Sequence, residues 1–493
     1  MLSDIECRDL AAAFTGHDYT VDAVVGLIGE PAHRALGRNS TVAAVRAIAD
    51  RLDPLAALTL LWPLQREVPQ SAVEAALPGL VPPLVEAGIL TEHAGRITAA
   101  VDIRPYASDD GAAGWIVSDL SPNLDTLSAP MRPDWVLGVS PASTTLAQLT
   151  VRRPVQRALD LGTGCGVQAL HLARHAASVV ATDLNPRAIE LARLTTGINA
   201  VEVDLRLGSL YEPVAGEHFD LITSNPPYVM SPPSPDAERL TYREGNQSGD
   251  GLVEHVVRRG ADHLAEGGLL QVLGNWAHLD GQDWQDRLAG WVAGTGCDAH
   301  IVQRETLDPA EYVELWLADA GLAGTDGYRA RYARWLDYFA ALGIEAVGMG
   351  WLVLHRAGRD EPQVRIEDWP YGVEQPIGPA FGAELDAVDL ITRLSDEEIL
   401  RRHWELADDV IEETTGTPGE ADPQHIVLRR QRGFRRARSV DTETAAVLGA
   451  CDGELSLEQI IGSVAQLLGT DVAGVRNRTL AAVDELVVDG YLR

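Results

Sequence analysis

Ala158-Leu-Asp160-Leu-Gly162-Thr163-Gly164-Cys165-Gly166-Val-Gln-Ala-Leu-His-Leu-Ala173 is the stretch that decides the fold. Its start reads as a buried strand, its three glycines as a tight turn, and Val167 onward as an apolar-periodic helix. Strand, glycine turn and helix in that order open an α/β unit, and the absent side chains let a ligand approach the backbone closely. The next apolar run, Ser178-Val-Val-Ala-Thr-Asp183, reads as a second strand with an acidic end, placed to accept hydrogen bonds from ribose hydroxyls. On the glycines alone, a nicotinamide, a flavin and S-adenosyl-L-methionine suit the turn equally.

Three features tip the balance toward S-adenosyl-L-methionine: Asp160 inside the turn, the Gly-x-Gly-x-Gly spacing, and the end of the fourth strand. That strand, Phe219-Asp-Leu-Ile-Thr-Ser224, runs into Asn225-Pro226-Pro227-Tyr228. Two prolines can neither continue a ladder nor open a helix at once, so the chain leaves the sheet as a rigid, extended loop. The Asn225 side-chain oxygen and the Pro226 carbonyl are then two fixed acceptors for a planar NH2 group. Accepting both N–H bonds aims the nitrogen lone pair at an electrophile, while Tyr228 can stack on the flat group that carries it. This is positioning chemistry rather than strong-base chemistry.

On these residues the chain resembles the class I S-adenosylmethionine-dependent methyltransferases, and within them the Asn-Pro-Pro-Tyr amino-methyltransferases such as the release-factor glutamine methyltransferases. The resemblance spans about residues 137 to 357. It implies an α/β, Rossmann-like core with a mostly parallel seven-stranded sheet, and S-adenosyl-L-methionine as cofactor. It further implies that Asp160, Gly162, Thr163, Gly164, Cys165 and Gly166 contact the donor's methionine part. Asp183 with Leu184 would meet its ribose, and Ser209 with Leu210 its adenine. Asn225, Pro226, Pro227 and Tyr228 would be catalytic, with Asn225 also touching the donor, and Glu244 with Gly249-Asp250-Gly251-Leu252 would follow them. Ser209 stands where an acidic residue is often found, and the amino-terminal region does not read as that family's usual helical substrate domain. The implied reaction is N-methylation of a protein glutamine side chain, with an exocyclic amine of adenine or guanine in RNA or DNA second and a small-molecule amine third. From another class, a binding protein on a degenerate methyltransferase core is the alternative, and the intact Asp160, Asp183 and tetrad argue against it.

At 493 residues and 46% hydrophobic content the chain is too long for one ordinary domain and can fill several cores. We expect a mainly helical, winged-helix-like domain over 1–103, a linker over 104–136, the methyltransferase domain over 137–360, a linker over 361–384, and a domain over 385–493 that is winged-helix-like at its end. The first of these rests on Leu84-Val-Glu-Ala-Gly-Ile-Leu90 followed by two short strands around Ala94-Gly95. Leu455 to Ile461 and Leu480 to Leu492 echo it. Winged modules suit partner or nucleic-acid recognition, yet with acidic residues scattered through both we favour the reading that they frame the cleft. The formal net charge of -32, from 72 acidic against 40 basic residues, repels phosphate backbones at long range and disfavours nucleic acid. Every basic residue is arginine, which fits GC-rich coding at least as well as a functional choice. Six of these arginines, Arg429, Arg430, Arg432, Arg435, Arg436 and Arg438, cluster around Gly433-Phe434, either as a phosphate-contacting arm or, in the reading we favour, as a strand pairing with the protein's own carboxylates.

Cys7, Cys165, Cys297 and Cys451 show no paired spacing, so neither a disulfide framework nor a zinc cluster is expected. Cys165 reads as a small buried side chain rather than a nucleophile. No secretory start and no run near the ~20 apolar residues of a membrane helix is present, so a cytoplasmic, soluble protein with no membrane contact is expected. His171 and His175 share a helix without an acidic or cysteine partner nearby in sequence and read as surface or packing histidines. Trp135 to Leu149 holds a helix capped around Ser143 that covers the donor pocket or merely closes the sheet. Met230 to Gly249, polar and proline-rich, reads as a substrate lid. Leu269 to Asn275 and Gly348 to His355 read as the fifth and last core strands. Between them two helices, around Pro309 to Asp319 and Tyr328 to Leu342, carry the aromatics Trp316, Trp335 and Tyr338, which read as core rather than a binding wall.

Overall fold

A computed structural model describes residues 2–122, 124–126, 132–233, 248–322, 324–417 and 424–493. They form two compact units, one running through Ala147 with Arg153–Trp369, the other Gln148–Arg152 with Pro370–Arg493.

The first unit begins with helices. Asp4–Gly16 is started by Ser3 and Glu6, each accepting from the other's backbone N–H. Further on, helices Gln70–Ala76 and Val81–Glu86 precede a small antiparallel sheet in the order β1-β3-β2, from β1 (Val68–Pro69), β2 (Leu90–His93) and β3 (Arg96–Ala99). Ala94 and Gly95 turn this hairpin with φ of 49° and 74°, the positive pair a two-residue loop needs. This is the helix-then-hairpin order read from the sequence. A second hairpin, β4 (Asp102–Ala107) with β5 (Ala113–Ser118), occupies the stretch read as a linker.

The main sheet contains β6 (Val155–Leu161), β7 (Ala176–Asp183), β8 (Asp204–Leu207), β9 (Phe219–Ser224), β10 (Leu264–Leu279), β11 (Asp298–Leu307), β12 (Ile344–His355) and β13 (Val364–Asp368). Its spatial order is β13-β11-β12-β10-β9-β6-β7-β8. β8, β7, β6, β9 and β10 are parallel, β12 runs antiparallel between β10 and β11, and β13 is parallel to β11. Among the described residues the sheet therefore has eight strands and not the expected seven. β13 was hidden because its five residues lie in a proline- and glycine-rich stretch that otherwise lacks periodicity, and pairing with β11 alone makes it a strand.

The strand order reverses between β6 and β9: the chain builds outward from β6 to β8, then returns to β9 and builds the other way. Open α/β sheets bind ligands outside the carboxyl ends of the strands at such a reversal. The glycine turn follows β6 and the tetrad follows β9, so both stand at that point.

One apolar cluster joins Phe14, Trp62 and Val117 of the amino-terminal region to Cys165, Val167, Leu170 and Leu191 behind the glycine turn. Hydrogen bonds stitch the same contact: Thr195 Oγ1 accepts from Val117 N at 3.0 Å, and Asn199 Nδ2 donates to Trp115 O at 2.7 Å. His171 belongs here too. Its Nδ1 lies 2.7 Å from Asp110 Oδ2 and its Nε2 2.7 Å from the Tyr106 hydroxyl, so the packing histidine does have an acidic partner, 61 residues away in sequence. Leu159, Phe219, Trp276 and Leu352 form a separate core within the sheet layers.

The second unit holds an antiparallel sheet, β14 (Val410–Thr415), β15 (His425–Arg430) and β16 (Ala437–Val440), with helices Leu457–Leu468 and Val472–Val488 around Trp404, Ile460, Val483 and Tyr491. Within the arginine cluster, Arg429 pairs with Glu413 at 3.0 Å, Arg430 with Asp409 at 2.8 Å, Arg436 with Asp489 at 3.2 Å and Arg438 with Glu485 at 2.6 Å. Arg436 is buried over the Phe434 ring. Arg430 and Arg436, both little exposed, tie this sheet to carboxylates elsewhere in the unit, whereas the Arg429 and Arg438 pairs lie at the surface.

Candidate active site

A pocket opens at the reversal point, and four segments of the first unit wall it. The floor is the glycine turn. Gly162, Gly164 and Gly166 have φ of 81°, 56° and 83°, a left-handed path that other side chains resist. The backbone N–H groups of Gly162 and Thr163 donate to Thr182 O at 2.9 Å each, which locks the turn to the end of β7. Asp160 lies beneath it, buried, and accepts from Thr163 Oγ1 at 2.6 Å. Burial pushes its carboxyl up to about 7 against the opposing Thr163 bond, with the nearby Asp183 charge adding to the rise.

Asp183 forms the second wall. One carboxylate oxygen accepts from Gly164 N at 2.9 Å and the other from Asn185 N at 2.8 Å, so the side chain is fixed while free lone pairs remain toward the pocket. Desolvation raises its pKa, and the backbone N–H groups of Asn185, Gly164 and Leu184 oppose that rise. Asn185 caps the helix Pro186–Ile198, with proline at its first position. Leu184, 57% exposed, and Ser209 with Leu210 line the outer rim.

The third wall is Trp135 to Gly138, just before the helix Pro141–Leu149. The cap of that helix is Ser140, whose Oγ accepts from Ser143 N at 3.2 Å, three residues before the cap read from the sequence. Ser143 itself lines the pocket. Asp119, at the end of β5, holds this wall in place: Oδ2 accepts from Val136 N at 2.8 Å and Oδ1 from Arg187 Nη2 at 3.0 Å.

The tetrad closes the far end. Ser224 Oγ donates to Leu161 O at 2.9 Å and ties the end of β9 to β6. Asn225, Pro226 and Pro227 line the pocket, and Asn225 Oδ1 is buried with no hydrogen-bond partner among the described residues. A buried acceptor left unmet costs about 1–3 kcal/mol, so its place in a pocket calls for a donor from a ligand. Tyr228 sits on the other side of the loop, its ring 6.1 Å from Trp316 in an edge-on contact. Burial pushes its phenol up to about 12, which keeps it neutral and unfit as a base near neutral pH.

Of the residues singled out from the sequence, Gly162, Thr163, Gly164, Cys165, Asp183, Leu184, Ser209, Leu210, Asn225, Pro226 and Pro227 face one pocket. Asp160, Gly166 and Tyr228 do not line it. Asp160 lies under the turn, Gly166 packs where a Cβ would meet Ala192 Cα at 3.2 Å, and Tyr228 backs the tetrad. Cys165 is buried and its thiol is pushed up to about 12 by burial. Glu244, and the part of the proposed lid over 234–247, lie outside the described residues. Asp119 was missed as a site residue, since no motif marks it; Trp135 to Gly138 open the stretch read as covering the donor pocket or closing the sheet, and Asn185-Pro186 carries a helix-start signal beside the second wall.

Residues 138–284 match the family model described as "Methyltransferase small domain". Residues 16–100 and 384–493 match two models each described as a domain of unknown function, DUF7059 and DUF7782. A ribosomal protein uL3 glutamine methyltransferase from Bradyrhizobium diazoefficiens is 35% identical over 136 residues, 25% of this chain and 43% of that protein. A release factor glutamine methyltransferase from Aliivibrio fischeri is 35% identical over 127 residues, 24% of this chain and 45% of that protein. The chain thus spans less than half the length of either relative. A solved methyltransferase from Pyrococcus furiosus aligns at 18% identity over 43% of this chain and 79% of that one, with a TM-score of 0.27. Over residues 138–284 the chain is thus similar to the methyltransferases of that family model and, across the same stretch, to release-factor and ribosomal-protein glutamine methyltransferases.

Proposed function

We propose that the protein transfers a methyl group from S-adenosyl-L-methionine to the side-chain amide nitrogen of a protein glutamine. The observation that carries this reading is the orphaned Asn225 Oδ1, held at the end of the pocket on a two-proline loop. A carboxamide NH2 supplies the missing donor, and its second N–H meets the Pro226 carbonyl.

The pocket's residues fit the donor. Asp183 would accept from the ribose hydroxyls, the Gly162 to Gly164 backbone would approach the methionine part, and Leu184, Ser209 and Leu210 would flank the adenine. Bound S-adenosyl-L-methionine supplies a methyl group on a sulfonium. Asn225 and Pro226 would hold the acceptor nitrogen with its lone pair toward the donor, which would convert an encounter into an aligned displacement, and one of the two N–H protons they accept would leave that nitrogen as the N–C bond forms. Trp135 to Gly138 and Leu252 exclude water from the line of transfer. Neutral Tyr228 stiffens the loop from behind.

The surface also supports a protein acceptor over a nucleic acid. The net charge is -32, and the local exception, the Arg429 to Arg438 cluster, is largely paired with carboxylates of its own unit. Incubating the protein and methyl-labelled donor with a purified release factor, with ribosomal protein uL3, and with ribosomal RNA tests this. Label on a glutamine side chain is expected, unchanged in an Arg432→Glu, Arg435→Glu variant; label on adenine or guanine, with none on protein, would overturn it.

A further inference from the structure

The helices Pro309–Asp319 and Tyr328–Leu342 form a hairpin inserted between β11 and β12, beyond the residues that match the methyltransferase model. The first is started by Asp308, which accepts from Ala310 N and Glu311 N, with Pro309 at its opening position. The hairpin reaches back to the chain leaving the tetrad. Met230, two residues past Tyr228 and 1% exposed, has both of its backbone polar groups taken by it. Its N–H donates to the Tyr312 hydroxyl oxygen at 3.0 Å, and its carbonyl accepts from Trp335 Nε1 at 2.9 Å. The same Tyr312 oxygen accepts from Asn275 Nδ2 of β10 at 3.1 Å, so it links hairpin, tetrad loop and central sheet. Tyr312 and Trp335 are buried, and Val229, Met230 and Phe339 pack around them. Trp316 of the same hairpin stands edge-on to Tyr228.

We propose that this hairpin is the anchor of the tetrad, and that Tyr312 is a positioning residue for methyl transfer, which rests on the reading of the tetrad given above. The prolines stiffen the loop from Asn225 to Pro227, but stiffness fixes direction only if both ends are held. Ser224 holds the entry through Leu161. Among the described residues the exit is held by the Met230 clamp, which reaches across 82 residues to Tyr312 and 105 to Trp335. Removing the Tyr312 oxygen strands two N–H donors in a closed core, and the loop gains freedom at the atoms that orient the acceptor.

The test uses the full chain with Tyr312→Phe and, should that variant fold poorly, Trp335→Phe. Hydrogen exchange is read on the peptide from Tyr228 to Pro233 and, as an internal control, on β9. Turnover is read with whichever of the release factor or uL3 the parent modifies, and donor-site integrity by calorimetric binding of S-adenosylhomocysteine. A buried core change elsewhere, Leu288→Ala, supplies the comparison for a general loss of stability. We expect exchange at Met230 to rise by about tenfold with β9 unchanged, on the scale of a local opening. Turnover should fall by roughly tenfold or more while S-adenosylhomocysteine affinity stays within about twofold, the split expected of lost alignment. Unchanged exchange at Met230, or an equal loss of turnover in Leu288→Ala, overturns the proposal. Should the parent modify neither protein, the functional reading fails by itself, and the exchange arm still decides whether Tyr312 anchors the loop.

Discussion

The two ends of the pocket are built by different means. The end proposed for the donor is made of backbone: glycines 162, 164 and 166, the Thr182 carbonyl, and Asp183 fixed by two main-chain N–H groups within a few residues of one another. The end proposed for the acceptor has two prolines in the loop itself, but its surroundings come from side chains of an inserted hairpin about a hundred residues away. A binding surface made of backbone is set by local sequence, whereas one made of borrowed side chains can be changed by exchanging the insert while the donor end stays as it is.

The largest effect that tests this division is expected at Asn225. Asn225→Ala removes the orphaned acceptor and should lower turnover by roughly a hundredfold or more, as loss of near-attack alignment does, while S-adenosylhomocysteine still binds. Transfer kinetics paired with calorimetry check it; retained turnover would make the tetrad a purely structural turn.

The converse change belongs to the donor end. Asp183→Ala should weaken binding of S-adenosylhomocysteine by about 0.5–3 kcal/mol, from loss of ribose hydrogen bonds and of the bonds that hold Gly164 and Asn185. Unaltered affinity in a calorimetric titration would separate the pocket from the donor.

These two residues also show what the sequence made legible. The glycine turn, the acidic strand end and the tetrad are contiguous signals, each explained by a backbone need at its own position, and they fall together around one pocket. The spans Pro309–Asp319 and Tyr328–Leu342 were equally readable as helices from their periodicity. Their role was not, because a hydrogen bond from Met230 to Tyr312 leaves no local pattern. The same holds for Asp119, an ordinary acidic residue until β5 and the Val136 segment meet, and for the Asp110 partner of His171. β13 escaped for a different reason: a strand that owes its existence to one neighbour carries little periodicity of its own.

A smaller effect sharpens the account of the turn itself. Asp160 is pushed up to about 7, above its unfolded value, so the folded protein holds that proton more tightly. Stability from this group is fully present below the unfolded pKa and is lost as pH rises through about 7. Asp160→Asn cannot ionise and keeps an oxygen for Thr163. Its melting temperature should therefore gain on that of the parent between pH 4 and pH 8 by about 3 °C in donor-free protein, followed by scanning calorimetry. A difference that does not vary with pH would mean Asp160 is already ionised beneath the turn.

The apolar cluster that joins Phe14, Trp62 and Val117 to Val167, Leu170 and Leu191 has a consequence for how this molecule is cut and how it melts. The helix following the glycine turn has its back covered by the amino-terminal region, so that region is part of the interior of the fold that carries the pocket. A protein trimmed to begin at the sheet would present this cluster to water, inviting aggregation rather than yielding a smaller stable unit. Heated intact, the amino-terminal helices and the eight-stranded sheet should absorb heat as a single cooperative event, and a protease should find no early cleavage point that frees one from the other.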